Sequence, residues 1–336
     1  MSTKRPVASI SLDADNLWSY LKTHGDVQWE RRPSYLPVLT ERLLDVWGAH
    51  SIRGTVFVVG FDAARDDGAD LVARAHAAGH EVANHSFEHE PWLHLYSHDQ
   101  LEDDLARTER SIIAAGAPSP RGFRGPGYSL SPELLDILAQ RGYAYDATSL
   151  PTWIGPLARA YYLRSTPMSA QDREQRGGLF GSARDGLGPN SPFRWSTGAE
   201  GLVELPVTVF PGLRVPFHVS YVLHLYSLSP AIARTYLRTA LTTCRLLGRG
   251  PSILLHPLDL LDATEAPGLE FFPGMGLEAK EKRRVVDYLL ALLSAAFDVR
   301  PTGEHARLAG STATSWRDPA GAGPRRKLGR MDRAGD

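Results

Sequence analysis

The fourteen residues Gly79–Trp92, GHEVANHSFEHEPW, hold three histidines, three carboxylates and a tryptophan. His85 and His89 are spaced i, i+4, which puts both rings on one side of a helical turn, the geometry of a metal pair. Three other stretches carry groups of matching chemistry. An apolar run ends in Asp13-Ala14-Asp15-Asn16, a second stretch reads Arg124-Gly125-Pro126-Gly127-Tyr128, and SILL is followed by His256-Pro257. Two aspartates at the end of an apolar strand are costly unless a cation neutralises them. One aspartate and two histidines form an N2O set with room for water, suited to Zn, Co, Ni, Fe or Mn acting as a Lewis acid. Taken singly, each piece has an ordinary reading: a hydrogen-bonded histidine, or a D-x-D in a loop or cap. Their joint placement at strand ends is what points to a site.

The elements that must position these groups alternate. PVASISLDAD, IRGTVFVVG and EVANH read as buried strands, separated by the helical patterns SYLPVLTERLLDVWGAH and DGADLVARAHAAGH, the latter stopped by Gly79. SHDQLEDDLARTERSIIAAG is an amphipathic helix with Ser97 as N-cap. RGFRGPGYSLSPELLDILAQRGYAYDATS reads strand, loop, helix, strand, with Ser131 as N-cap and Pro132 at the first helical position. The alternation resumes with GLVELPVTV, SPAIARTYLRTALTTCRLLG, PSILLHPLD and LEAKEKRRVVDYLLALLSAAF, and DVRPTGEHA reads as a last strand and exit. Alternation of this kind implies parallel strands with crossover helices, and its number of units suits a barrel with ligand groups at the C-terminal strand ends. Two segments break the pattern. Residues 164–200 are polar and rich in Gly and Pro and are expected to form a long loop or lid over a domain spanning 1–309. The tail 310–336 lacks apolar periodicity and is expected to be disordered, its Arg/Lys cluster allowing peripheral contact with an acidic membrane surface.

Bulk properties exclude several classes. A formal net charge of -1 over 336 residues gives no general attraction to nucleic acid. The single cysteine, Cys244, supports neither a disulfide framework nor a thiolate cluster and reads as a buried thiol. No run of about 18 apolar residues suggests a spanning helix. The start, MSTKRPVASISLDAD, has no apolar core of a secretory signal, so a cytoplasmic protein is expected.

Over Pro6 to Pro301 these stretches resemble the polysaccharide deacetylase superfamily, the one named for the NodB homology domain, in a divergent branch whose acids form D-x-D. SISLDADN is similar to the family's first motif, GHEVANHSFEH to its H-S/T-x-x-x-H metal motif, FRGPGY to its R-x-P motif and ILLHP to its last motif. The resemblance implies an α/β fold, a deformed (β/α)7 barrel. It implies a divalent metal, Zn before Co, Ni, Fe or Mn, held by Asp15, His85 and His89. Asp13 would be the general base acting on a metal-bound water, Arg124 would pair with Asp13, and His256 would be the general acid. Backbone N–H groups near Tyr128 would stabilise the oxyanion. Asn16, Trp18, Trp92, Pro126 and Tyr128 sit beside the motifs as candidate substrate-binding residues. The fourth motif, an acid near a tryptophan, has no clean counterpart. Glu204 is one candidate, and Asp259 or Asp262 could instead orient His256. Arg194 and Trp195 are candidates for the lid.

The reaction implied is hydrolysis of an N-acetyl or N-formyl amino sugar or glycoconjugate to an amine and a carboxylate. The apolar run LRVPFHVSYVLHLYSL leaves a lipid-linked sugar or a glycosylated natural product open as substrate. Two alternatives stand beside it: an amidohydrolase acting on cyclic ureides or imides, and a sugar-binding barrel without turnover. All readings with a metal require the Asp15 carboxylate within about 6 Å of both imidazoles.

Overall fold

A computed structural model of the protein describes residues 5–155 and 187–322. Its centre is β1 (Val7–Asp13), in which Ala8, Ile10 and Leu12 point to one side and Ser9, Ser11 and Asp13 to the other. The apolar side joins the main core. The polar side meets side chains from across the sheet: Ser9 Oγ lies 3.0 Å from His305 Nδ1, and Ser11 Oγ and Asp13 both meet Arg124. Period-two alternation therefore explains why the acids of D-x-D share one face.

Around β1 the expected strands form in parallel: β2 (Thr55–Val58), β3 (Glu81–Asn84), β4 (Gly122–Phe123) and β5 (Tyr145–Asp146) on one side, with β8 (Ser252–Leu255) on the other. β7 (Leu202–Glu204) extends the sheet beyond β5, and β6 (Phe193–Trp195) adds antiparallel to β7. The sheet curls until the chain just past β7 reaches β8, where Thr208 and Ser252 exchange bonds. The Thr208 N–H donates to the Ser252 carbonyl at 3.0 Å, and the Ser252 N–H donates to Thr208 Oγ1 at 2.8 Å. The result is a mixed α/β fold with a curled sheet, matching the deformed barrel expected from the sequence.

Helices cover the outside. α1 (Leu17–Thr23) follows β1, capped by Asn16. α2 (Leu36–Ala49), α3 (Gly60–Ala63), α4 (Asp66–Ala77), α5 (His98–Ala114) and α6 (Pro132–Gln140) follow in chain order. Ser97 and Ser131 are the N-caps of α5 and α6, and α5 carries a full capping box with Gln100. α7 (Val219–Leu228), α8 (Pro230–Leu246) and α9 (Ala279–Ala296) come from the second half. The apolar run around residue 220 is thus a helix whose Val219, Val222 and Leu223 pack into the core, and Cys244 is buried in α8.

Three expectations change. DVRPTGEHA makes only the two-residue β9 (Asp298–Val299) against β1 and then turns into α10 (Thr302–Gly310), whose Thr302 N–H is held by Thr55 Oγ1 at 2.7 Å. The tail is not structureless from residue 310. Trp316–Arg317 form β10 along β6, and Ala322 is buried against the Leu134–Leu138 cluster; residues 323–336 lie outside the described residues. Most of the expected lid, residues 164–186, also lies outside them. Its end is a strand: Arg194 bonds the carbonyls of Glu200, Gly201 and Gly310, and Trp195 is buried. No helix among the described residues is long and apolar enough to cross a membrane.

Candidate active site

Asp13 and Asp15 leave β1 where its ladder with β2 ends, the last bond running from the Ala14 N–H to the Phe57 carbonyl at 2.9 Å. His85 follows β3, Arg124 follows β4 and His256 follows β8. These strand ends meet at one rim. Asp15 Oδ1 lies 3.1 Å from His85 Nε2 and 3.0 Å from His89 Nε2. One ligand atom from each of the three residues falls within 4.8 Å of the others. His85 Nδ1–H donates to the Arg124 carbonyl at 2.7 Å, which leaves a lone pair on the Nε2 that faces Asp15. Two imidazole nitrogens and a carboxylate oxygen aimed at one point, all buried, form a donor set suited to a divalent cation.

The charges of the site act on one another. Burial opposes ionisation of Asp15, but the His89 and His85 rings hold its carboxyl well below the usual range. Burial works to depress His85, and the Asp13 and Asp15 carboxylates outweigh it and raise its pKa.

The i, i+4 histidines are not on a helix. Residues 85–90 form a loop in which Ser86 (φ 63°) and His89 (φ 52°) are left-handed. Side chains hold that loop in place of helical hydrogen bonds. Asn84 Oδ1 accepts from the Ser86 N–H at 2.8 Å, Ser86 Oγ from the His89 N–H at 3.1 Å, and both carboxylate oxygens of Asp104 from the Phe87 N–H at 3.0 Å. Asp104 reaches in from α5, and burial pushes its pKa up to about 7.

Asp13 is bound by Arg124, Nη1 to Oδ1 at 2.6 Å, and its Oδ2 faces His85 Nε2 at 3.9 Å. Arg124 is itself fixed: Nε donates to the Ala147 carbonyl at 2.9 Å, Nη1 to Ser11 Oγ at 2.8 Å, and the guanidinium lies over the Phe57 ring at 4.1 Å.

Among the described residues, a cavity of about 520 Å³ opens over this group. Asp13, Asp15, His85, His89, Tyr128 and His256 all line it. Its outer wall is aromatic, with Tyr20 of α1 and His24 just past its end packed edge-on against Phe272 (5.3 and 5.1 Å) and His24 against Phe271 (4.6 Å). Asp259 also borders the cavity and serves His256, Oδ2 accepting its backbone N–H at 2.8 Å. Asp262 does not; its Oδ1 caps Thr264.

Several expected substrate residues are placed elsewhere. Asn16 is buried and saturated: Oδ1 accepts from Leu17 and Tyr35 N–H groups, and Nδ2 donates to Asp62 and Ser34. Trp18 is fully buried, with Nε1–H donating to Asp62 Oδ1 at 2.8 Å and Arg32 stacked 4.2 Å from its ring. The helix that starts at Leu17 turns both away from the cavity. Trp92 is half-buried and Pro126 buried; Pro91, Gly125 and Gly127 line the cavity instead. The Tyr128 N–H, expected near the oxyanion, donates to the Gly125 carbonyl at 3.1 Å. Glu204 lies inside the sheet, opposite Asp146 in the β5–β7 register. It accepts from Trp195 Nε1 (2.8 Å) and the Ser149 N–H (3.0 Å), and burial followed by the Asp146 charge raises its pKa well above the usual carboxylate range. It supports the sheet rather than the substrate.

Sequence reasoning missed Tyr20, His218 and Ser220, all of which line the cavity. His218 packs edge-on against His256 with ring centroids 5.9 Å apart, and burial, then the His256 charge, push its pKa down to about 3. No local pattern marks Ser220.

Residues 26–145 match the sequence profile of the family described as Polysaccharide deacetylase. A chitooligosaccharide deacetylase from Sinorhizobium fredii (strain NBRC 101917 / NGR234) is 36% identical over 109 residues, 32% of this chain and 49% of that protein. Another from Bradyrhizobium sp. (strain ANU 289) is 32% identical over 136 residues, 38% of this chain and 60% of that protein. The chain thus spans about half the length of the curated relatives it matches, 49% and 60%. A crystal structure assigned as a polysaccharide deacetylase from Mycobacterium smegmatis superposes with a TM-score of 0.61 at 20% identity, covering 94% of each chain, and so shares the fold.

Proposed function

We propose that this chain is a member of the polysaccharide deacetylase superfamily, whose profile matches residues 26–145, and that it hydrolyses the N-acyl group of an amino sugar with the help of a divalent cation. The observation that carries this reading is the convergence of Asp15, His85 and His89 beside a second acid, Asp13, that is already paired with Arg124. When bound by those three ligands, the cation supplies Lewis-acid polarisation of the acyl oxygen and acidifies water; Zn is the first choice for an N2O donor set.

The chain's own groups divide the remaining work. Arg124 occupies Asp13 Oδ1, which leaves Oδ2 to take the proton of the attacking water. The C–O bond forms, the tetrahedral adduct collapses with cleavage of C–N, and His256 gives its proton to the departing nitrogen. An amine and a carboxylate leave. The aromatic wall of Tyr20, His24, Phe271 and Phe272 offers faces against which sugar rings stack. The names of the relatives favour N-acetylated glucosamine oligomers over other N-acyl sugars.

The test couples metal analysis to acetate and formate release from a panel of N-acyl sugars that includes chitooligosaccharides and a lipid-linked amino sugar. Asp13→Asn is expected to abolish release while one equivalent of metal stays bound. Retained turnover in that variant removes the assigned base, and wild-type protein that binds metal but releases neither acid from any sugar removes the hydrolase reading.

A further inference from the structure

The candidate acid is not in direct contact with a carboxylate. His256 Nδ1 faces Ser220 Oγ at 3.3 Å, and Ser220 Oγ in turn meets Asp259 Oδ1 at 2.8 Å. The second oxygen of Asp259 accepts the backbone N–H of His256 itself at 2.8 Å. A hydroxyl has one proton to donate. Burial raises the Asp259 pKa against the pull of His256, Ser220 and Lys282; when ionised, its carboxylate is only an acceptor, so the Ser220 proton points to it and Oγ is left to accept from Nδ1–H. We propose that Ser220 is a positioning residue for His256, relaying it to Asp259 and fixing the ring with Nδ1 protonated and Nε2 turned to the cavity. Its catalytic consequence rests on the hydrolase reading above; the relay itself does not.

The relay has a rigid base. Ser220 sits in the first turn of α7, and Asp259 ends the single turn Pro257–Asp259. Lys282 from α9 is fully buried and donates to the carbonyls of Leu258 and Leu261 at 2.8 and 2.7 Å, clamping that turn from behind. A neutral imidazole that keeps its Nδ1 proton returns to one orientation after each proton transfer at Nε2, ready to be recharged. The other titratable groups facing this pair are His218 and Tyr221 from the α7 end, Lys282 from α9 and Tyr20 from α1. Asp13, Asp15, His85 and His89 border the same cavity. Ser220 is the member whose removal changes the link without changing a charge.

The test uses the full chain without metal and reads the ring nitrogens of His256 by nitrogen-15 NMR across pH. Wild type is expected to hold the Nδ1–H tautomer when neutral. Ser220→Ala is expected to lose that preference, since Nδ1–H loses its acceptor. Ser220→Thr is expected to restore it, and Asp259→Asn, whose amide can offer Ser220 an N–H as well as an oxygen, is expected to weaken the same preference, which keeps the idea testable if Ser220→Ala folds poorly. In the metal-loaded enzyme, Ser220→Ala should cut kcat by about 10- to 100-fold with KM within about twofold. An unchanged tautomer in Ser220→Ala overturns the relay, whatever the enzyme hydrolyses. A changed tautomer in a protein that releases no acyl group keeps the relay and rejects only the hydrolase.

Discussion

Asp104→Ala is expected to damage the candidate metal site without touching a ligand. Its carboxylate accepts the Phe87 N–H with both oxygens at 3.0 Å, in the middle of the loop that joins His85 to His89. That loop holds two left-handed non-glycine residues, Ser86 and His89, each a conformation costing about 1–3 kcal/mol that surrounding bonds must impose. Removing the acceptor strands a buried N–H, worth about 1–3 kcal/mol, and frees the loop to relax. If the released loop moves the His89 ring, the loss appears in binding: about 1.4–2.7 kcal/mol corresponds to a 10- to 100-fold weaker site, the usual range for partners behind a metal ligand. Asp104→Asn separates geometry from charge. Its amide oxygen still accepts from Phe87, and it has no carboxyl to ionise. The Asp104 pKa is raised to about 7 by burial. For an acid raised in this way, stability is greatest below its free pKa of about 4 and is lost as pH rises through about 7. The asparagine variant should therefore gain on wild type across that window and keep its metal. The assay is Zn competition against a chromophoric chelator, with urea midpoints at pH 5 and 8. Equal metal affinity in Asp104→Ala and wild type refutes the reasoning, as does equal loss in the alanine and asparagine variants.

The other expectations concern placement and acid stability. Trp18→Ala should cost about 3–5 kcal/mol of stability by urea unfolding, because the ring is fully buried under Arg32, and should leave KM for the sugar within about twofold at a temperature where it is folded; a large KM effect would return Trp18 to the substrate. His218 and His305 are buried with pKa values pushed down to about 3 and about 4, chiefly by burial. Their folded values lie below the free value, so the unfolded chain takes up protons first and stability is lost as pH falls from about 6.5 towards 4. Each contributes up to about 1.4 kcal/mol per pH unit. His218→Gln and His305→Gln should flatten that slope in urea titrations between pH 7 and 5, and an unchanged slope would show that neither ring resists protonation.

Much of the site was legible because strand chemistry is local. Period-two alternation puts Ser11 and Asp13 on one face, and parallel strands deliver their C-terminal polar groups to a common rim, so Asp13, Asp15, His85, Arg124 and His256 could be grouped before any coordinates. What failed depended on partners distant in sequence. Asn16 and Trp18 looked like rim residues until Asp62, 46 and 44 positions on, claimed both. Glu204 belongs to Asp146 through strand register. β10 is two residues long and exists only because β6 offers an edge. The histidine spacing suggested a helical turn, whereas Asp104 and Ser86 stabilise a loop that no periodicity announces.

The seam at Thr208 and Ser252 gives the barrel an unequal perimeter. From β8 through β1 and on to β4, every strand is joined to the next by ladder bonds, and all the proposed chemical groups hang from that continuous band. The remaining arc, with Leu150, Thr152 and Ile154 on the cavity wall, meets the band at the seam through one backbone bond and one threonine hydroxyl. Widening of the mouth for a bulky occupant would therefore be taken up at that joint, shifting the wall while Asp13, Asp15, His85, His89 and His256 keep their spacing.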